Sequence, residues 1–168
     1  MKKKDTSYVK EQITMALLRL MEKKEFDSIN ITDIVKEAMV GRASFYRNFQ
    51  DKTDVLKQYL MLLIKNWGKE FEEVGDPNWV KSLFGHYYQY KDFYLLLYRC
   101  NMSYLIFDTI KAVSGPRVEQ DNISAYFSAW FCGGLFAWID QWITRGMSET
   151  PDEMTLLLQQ IDRQSHGK

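Results

Sequence analysis

Residues 29–52 read INITDIVKEAMVGRASFYRNFQDK. Asn30 stands where a helix N-cap is wanted, and Asp33, three residues on, lies near the free amides of a first turn. Ile31, Ile34, Val35 and Ala38 then share one face of a short helix. AMVG reads as a turn, in which Gly41 is expected to cap or to permit tight backbone. A second short helix is predicted over about 42–48. Phe45 and Phe49, four apart, lie on the side that packs inward. Arg42, Tyr46 and Arg47 cannot all follow them, so some must face outward. Two short helices around a three-residue turn make a helix-turn-helix candidate. Such a unit needs small or apolar residues where its helices cross, here Ala38 and Val40. It also needs polar or basic residues on the exposed face of the second helix, here Arg42, Ser44, Tyr46 and Arg47. Lys52 opens the next helix, where free amides and an ammonium could both meet a phosphate.

Outward from this stretch the helical period continues. Val9, Ile13, Leu17, Leu20 and Met21 predict a first helix over about 7–23. A long helix over about 52–74 carries Leu56, Leu60, Leu63, Ile64, Trp67 and Phe71 on one face, and the run GDP at 75–77 breaks it. Two helices follow across NWVKSLFGHYYQY and KDFYLLLYRC, then one across MSYLIFDTIKAV that SGP stops. The next is expected from about Glu119 to Arg145, with Gly146 beyond its end. Thr150, Pro151, Asp152 and Glu153 read as an N-cap, a proline at the first helical position and acids in the first turn of a last helix. No segment of period two stands between turn signals, so the fold class is all-α, with about nine helices.

Zero net charge over 168 residues advertises no polyanionic partner through a global field. Residues 1–55 carry eleven Lys/Arg against nine Asp/Glu, and the remainder eleven against thirteen, a mild asymmetry. The run of lysines at 2–4 reads equally as an arm on phosphates or as a solubilising terminus. No apolar stretch follows those lysines as in a secretory signal. Cys100 and Cys132 lack metal or redox spacing and read as buried packing residues. A cytoplasmic location is therefore expected. His86 and His166 form no metal set, and no catalytic group or cofactor motif stands out, so a non-enzymatic role is expected.

ITDIVKEAMVGRASFYRNFQDK resembles the DNA-binding signature of the tetracycline-repressor (TetR) family, often T-V-x-D-I-x-x-x-A-G-V-S-R-x-T-F-Y-R-H-F-x-x-K. Ile31, Asp33, Ile34, Ala38, Val40, Arg42, Phe45, Tyr46, Arg47, Phe49 and Lys52 occupy matching places. Met39 departs from the usual Gly or polar turn residue, Gly41 from Ser or Asn, Asn48 from a frequent His and Asn30 from a frequent Thr. The resemblance implies a DNA-binding domain at 1–51 and a helical regulatory and dimerisation domain at 52–168. It puts Asn30, Ser44, Tyr46 and Lys52 against phosphates of a double-stranded operator. It puts Thr32, Gly41, Arg42 and Ala43 at base edges of the major groove. Arg42 suits guanine best, because a guanidinium pairs bidentately with O6 and N7.

NISAYFSAWFCGGLFAWIDQWI holds eighteen uncharged residues from Asn122 to Ile139. Six aromatics, two serines and the pair Gly133-Gly134 make it a buried helix rather than a membrane span. A helix apolar all round must be covered on two sides, one by its own core and the other by a partner. A homodimer interface is thus expected from Trp130, Gly134, Trp138 and Trp142, with Met154, Leu157, Leu158 and Ile161 of the last helix. Trp67, Phe71, Tyr88, Tyr94, Tyr98, Phe107 and Phe131 are available to line a site for a small hydrophobic or aromatic effector. The combined expectation is a dimeric repressor released or modulated by a ligand. Its rivals are a regulator or activator governed by a protein partner, and a small helical carrier or enzyme.

Overall fold

The computed structural model describes residues 2–75 and 78–166, leaving aside the side chains of 2–6, 162, 165 and 166. The side chains of the lysine run and of His166, and the 76–77 part of the expected break, lie outside the described residues. Among those described there are nine α-helices, one 3-10 turn and no strand, an all-α fold. The helices are α1 (Lys2–Met21), α2 (Ile31–Glu37), α3 (Arg42–Asn48), α4 (Lys52–Val74), α5 (Trp79–Gln89), α6 (Lys91–Arg99), α7 (Tyr104–Ser114), α8 (Asn122–Thr144) and α9 (Pro151–His166).

Most helix starts follow local chemistry. The Asn30 side-chain oxygen accepts from the Asp33 amide at 3.0 Å, while the Asp33 carboxylate accepts from the Asn30 amide at 3.3 Å. Each group satisfies a donor that the first turn would otherwise leave open. Thr150 and Glu153 make the same reciprocal pair before Pro151. α8 begins later than expected. The Arg117 amide bonds the Gln120 side chain at 2.8 Å and holds a turn there, so Asp121 becomes the cap, accepting from the Ser124 amide at 3.1 Å. α1 begins earlier than its apolar period, at Lys2.

The turn between α2 and α3 closes differently from the expectation placed on Gly41. Gly41 has ordinary extended backbone, φ −79° and ψ 149°, and makes no side-chain cap. The left-handed position is Met39, at φ 53°. Its amide bonds the Lys36 carbonyl at 3.2 Å, and the Val40 amide bonds the Val35 carbonyl at 3.0 Å. This is the Schellman closure, in which the residue after the C-cap turns left-handed. Asn101 and Gly146 close α6 and α8 in the same way.

One core runs through the chain. α1 packs on α2, α3 and α4, while α4 continues to α5 and α7. α8 lies on α6 and α7, and α9 lies on α5. Ile13, Leu17, Ile34, Phe45, Leu56 and Leu60 fill the N-terminal part. Tyr87, Tyr94, Leu97, Leu105 and Ile139 fill the C-terminal part. Cys132 is buried and Cys100 half-buried, both as free thiols, and burial pushes both thiols up. No described helix is long and apolar enough to cross a membrane.

Candidate nucleic-acid interface

Phe45 is fully buried and Phe49 nearly so, their rings 5.8 Å apart, and they hold α3 against α1 and α2. Their burial turns the opposite side of α3 outward. Arg42, Ala43, Tyr46 and Arg47 are exposed, as are Thr32 and Asn30 at the start of α2 and Gly41 before α3. Tyr46 packs the edge of its ring against Phe45 at 5.6 Å and still leaves about half its surface free. Ser44 is half-buried, and its hydroxyl accepts from the Arg47 guanidinium at 3.0 Å. Arg47 also donates to the Ala43 carbonyl at 3.3 Å, so it lies back along its own helix.

Lys52 turns its ammonium toward the segment between α1 and α2. Its ammonium donates to the carbonyls of Phe26 at 2.6 Å, Asp27 at 3.2 Å and Ile29 at 2.8 Å. It also sits 4.5 Å from the centre of the Phe26 ring. An ammonium has three protons, and these acceptors occupy all of them.

Sequence reasoning missed the residues that fix this unit in place. Arg19 on α1 pairs with Glu37 on α2 at 2.8 Å, and that hydrogen bond holds the Glu37 carboxyl below the usual range. Lys10 donates to Gln58 at 2.8 Å, and Gln58 donates to the Asn48 carbonyl at 3.1 Å, joining α1, α4 and the end of α3. No spacing rule reveals partners so far apart in the chain.

In the C-terminal part, the seven expected effector linings lie in several different packing environments. Tyr94 is fully buried against Tyr87 at 4.5 Å, and its hydroxyl lies 3.2 Å from the His86 ring nitrogen. Tyr98 donates to Asp140 at 2.5 Å. Phe107 packs on Phe136, Tyr88 stacks on Trp142, and Phe131 lies against Trp79. Trp67 and Phe71 share an opening, a cleft of about 250 Å³ between α4 and α5 that Ser82, His86 and Gln89 also line. Burial holds the His86 ring neutral, its pKa lowered to about 4.

The expected dimer residues divide. Trp142 and Met154 are buried inside the chain, Trp142 edge-on to Phe84 at 5.3 Å, and so are not free for a partner. Steps of four residues drift about 40° each around a helix, so by Trp142 the row that starts at Tyr126 and Trp130 has turned off the exposed face of α8. Trp130 is 71% exposed, and Gly134, Leu157 and Ile161 are also exposed, with Trp138 and Leu158 half-buried. Ile123, Tyr126 and Phe127 extend that face. Between α8 and α9, over α5, runs an apolar groove of about 750 Å³ whose walls include Trp130, Gly134, Trp138, Leu158 and Ile161. The Trp138 indole N–H is buried without a hydrogen-bond partner. No group of three or more His, Cys, Asp or Glu that could hold a metal occurs among the described residues.

Two family models match the chain. Residues 13–59 match "Bacterial regulatory proteins, tetR family", and residues 77–164 match "Transcriptional regulator C-terminal region". No curated protein matches it. The first match covers α2, α3 and, apart from Lys10, the residues that pin them, and the second covers more than half of the chain. With an all-α architecture and an outward basic face on the second short helix, the chain belongs to the TetR family of transcriptional regulators.

Proposed function

We propose that this regulator binds a palindromic duplex operator as a homodimer and represses transcription from it in the cytoplasm. Residues 1–51 read the DNA, and residues 52–168 dimerise and carry the control. The observation that supports it best is the division of α3: Phe45 and Phe49 are buried while Arg42, Ala43, Tyr46 and Arg47 are exposed. In this reading Arg42, Ala43, Gly41 and Thr32 meet base edges, while Asn30, Ser44, Tyr46 and Arg47 meet phosphates. Dimerisation draws support from the exposed apolar face of α8 and α9, which is too large for isolated surface residues. An isologous pairing through that face sets two reading heads against half-sites about one helical turn apart or a little more.

A ligand that prefers one separation of the heads shifts the population and so the operator affinity. The cleft beside Trp67 and Phe71 supports a small aromatic effector there. A specific observation favours a second reading as well. The interior around Tyr87, Tyr94 and His86 is filled by their own rings, which suits control by a protein partner, including activation.

Fluorescence anisotropy against palindromic duplexes from upstream of the chain's own reading frame tests the proposal. Saturable binding that Arg42→Ala weakens is expected. Indifference of the unmodified chain to every duplex at low salt would return it to the carrier or enzyme class.

A further inference from the structure

From the chain between α1 and α2 to the first residue of α4, we propose that Lys52 is a positioning residue for the reading head and makes no phosphate contact. The inference rests on the DNA-binding reading above. Three carbonyls, of Phe26, Asp27 and Ile29, surround its ammonium at 2.6, 3.2 and 2.8 Å. Phe26 and Ile29 are themselves buried, so the clamp closes over a packed segment rather than over solvent. The Phe26 ring adds a cation–π contact at 4.5 Å. A phosphate would have to displace at least one of these acceptors.

The clamped segment ends at Asn30, the cap of α2 and a proposed phosphate contact. Asp51, the residue before Lys52, caps α4 by accepting from the Asp54 amide at 2.8 Å. The Asp54 carboxylate in turn accepts from the Gln50 amide at 2.9 Å. The start of α4 is thereby fixed in itself and tied to the start of α2 through one side chain. α4 also packs on α5 and α7. Lys52 therefore transmits the position of the regulatory helices to the amide cluster that opens α2.

Lys52→Met keeps the aliphatic stem and removes the charge. In the free protein, amide exchange across residues 26–33 should rise tenfold or more. Operator and unrelated duplex should both bind more weakly by a similar factor. The slope of log K against log salt should stay at the wild-type value, whereas loss of a phosphate contact lowers it by about 0.9 per contact. Arg47→Gln, at an exposed proposed phosphate contact, should lower the slope and serves as the comparison. Lys52→Arg restores charge without the three-point geometry and should not restore protection. A reduced slope with unchanged exchange in Lys52→Met would overturn the proposal.

Should the variant not fold, nitrogen-15 spectra of the unmodified protein decide. Couplings across the hydrogen bonds from the Lys52 ammonium to the Phe26 and Ile29 carbonyls should persist when operator is added. Their replacement by coupling to DNA phosphorus would refute the clamp. Exchange and couplings in the free protein are read without DNA, so failure to bind any duplex would count against the functional reading alone.

Discussion

Met39→Gly should make the protein more stable, because the chain carries a branchless but bulky side chain at a left-handed position. At φ 53° the Cβ of an L-residue crowds the following carbonyl, at a cost of about 1–2 kcal/mol. The side chain offsets little of this, since Met39 is 90% exposed and loses almost no packing on removal. Against the relief stands the extra freedom that glycine gives the unfolded chain, about 0.4–1 kcal/mol. The two terms leave a net gain of about 0.5–1 kcal/mol. Both turn hydrogen bonds are made by backbone amides and survive the change. Urea unfolding at fixed protein concentration should show a higher midpoint with an unchanged slope. Thermal unfolding should shift up by about 1–4 °C for a chain of this size. Gly41→Ala is the matched control. Its φ of −79° suits any residue, and a Cβ there would meet nothing within 4 Å. Alanine is a poorer cap than glycine but restricts the unfolded chain, so the change should fall within about 0.5 kcal/mol of neutral. A lower midpoint for Met39→Gly, or a large loss for Gly41→Ala, would show that strain at this turn has been placed at the wrong residue.

Three further outcomes are expected. Arg42→Ala should cost about 1–3 kcal/mol of affinity and relax preference at one base position per half-site, read by titration against operator variants. Trp130→Glu should leave the thermal midpoint of the isolated protomer nearly unchanged while sedimentation velocity shows the loss of the dimer; a dimer that persists would move the interface elsewhere. For His86, burial sets the folded pKa near 4, below the ordinary value of 6.5, so the unfolded chain binds the proton more readily. Its contribution is complete above about pH 6.5 and is lost as pH falls towards 4, by about 3 kcal/mol in total. The stability of the wild type relative to His86→Gln should therefore shrink across that window, and the ring should show no protonation by NMR above about pH 5.

Local signals carried most of what was legible. The caps at Asn30 and Thr150, the inward phenylalanines of α3 and the bounds of α4 follow from spacing and short-range hydrogen bonding. The signature over residues 31–52 is by itself enough to place the family. What stayed hidden depends on rotation and distance. Trp142 follows Trp138 by four residues, and four residues carry a helix about 40° past a full turn, which takes Trp142 into the core while Trp138 lines the groove. Lys52 reads as a phosphate ligand when its helix is considered alone, because the carbonyls that hold it lie 23–26 residues earlier. Aromatic content suggested that many rings could line a cavity, whereas Tyr87 and Tyr94 close on each other and the cleft lies beside Trp67 and Phe71. Composition reports how many rings there are, and only packing decides whether they enclose a void.

Gly133 and Gly134 sit in mid-helix on the open side of α8, where added methyl groups would meet nothing within the protomer. Each disfavours the helical state by about 1 kcal/mol relative to alanine. Nothing inside the folded subunit requires them to be bare. Alanine at these two places would therefore strengthen the lone subunit while holding any second backbone farther off, so that folding and self-association respond to one substitution with opposite signs.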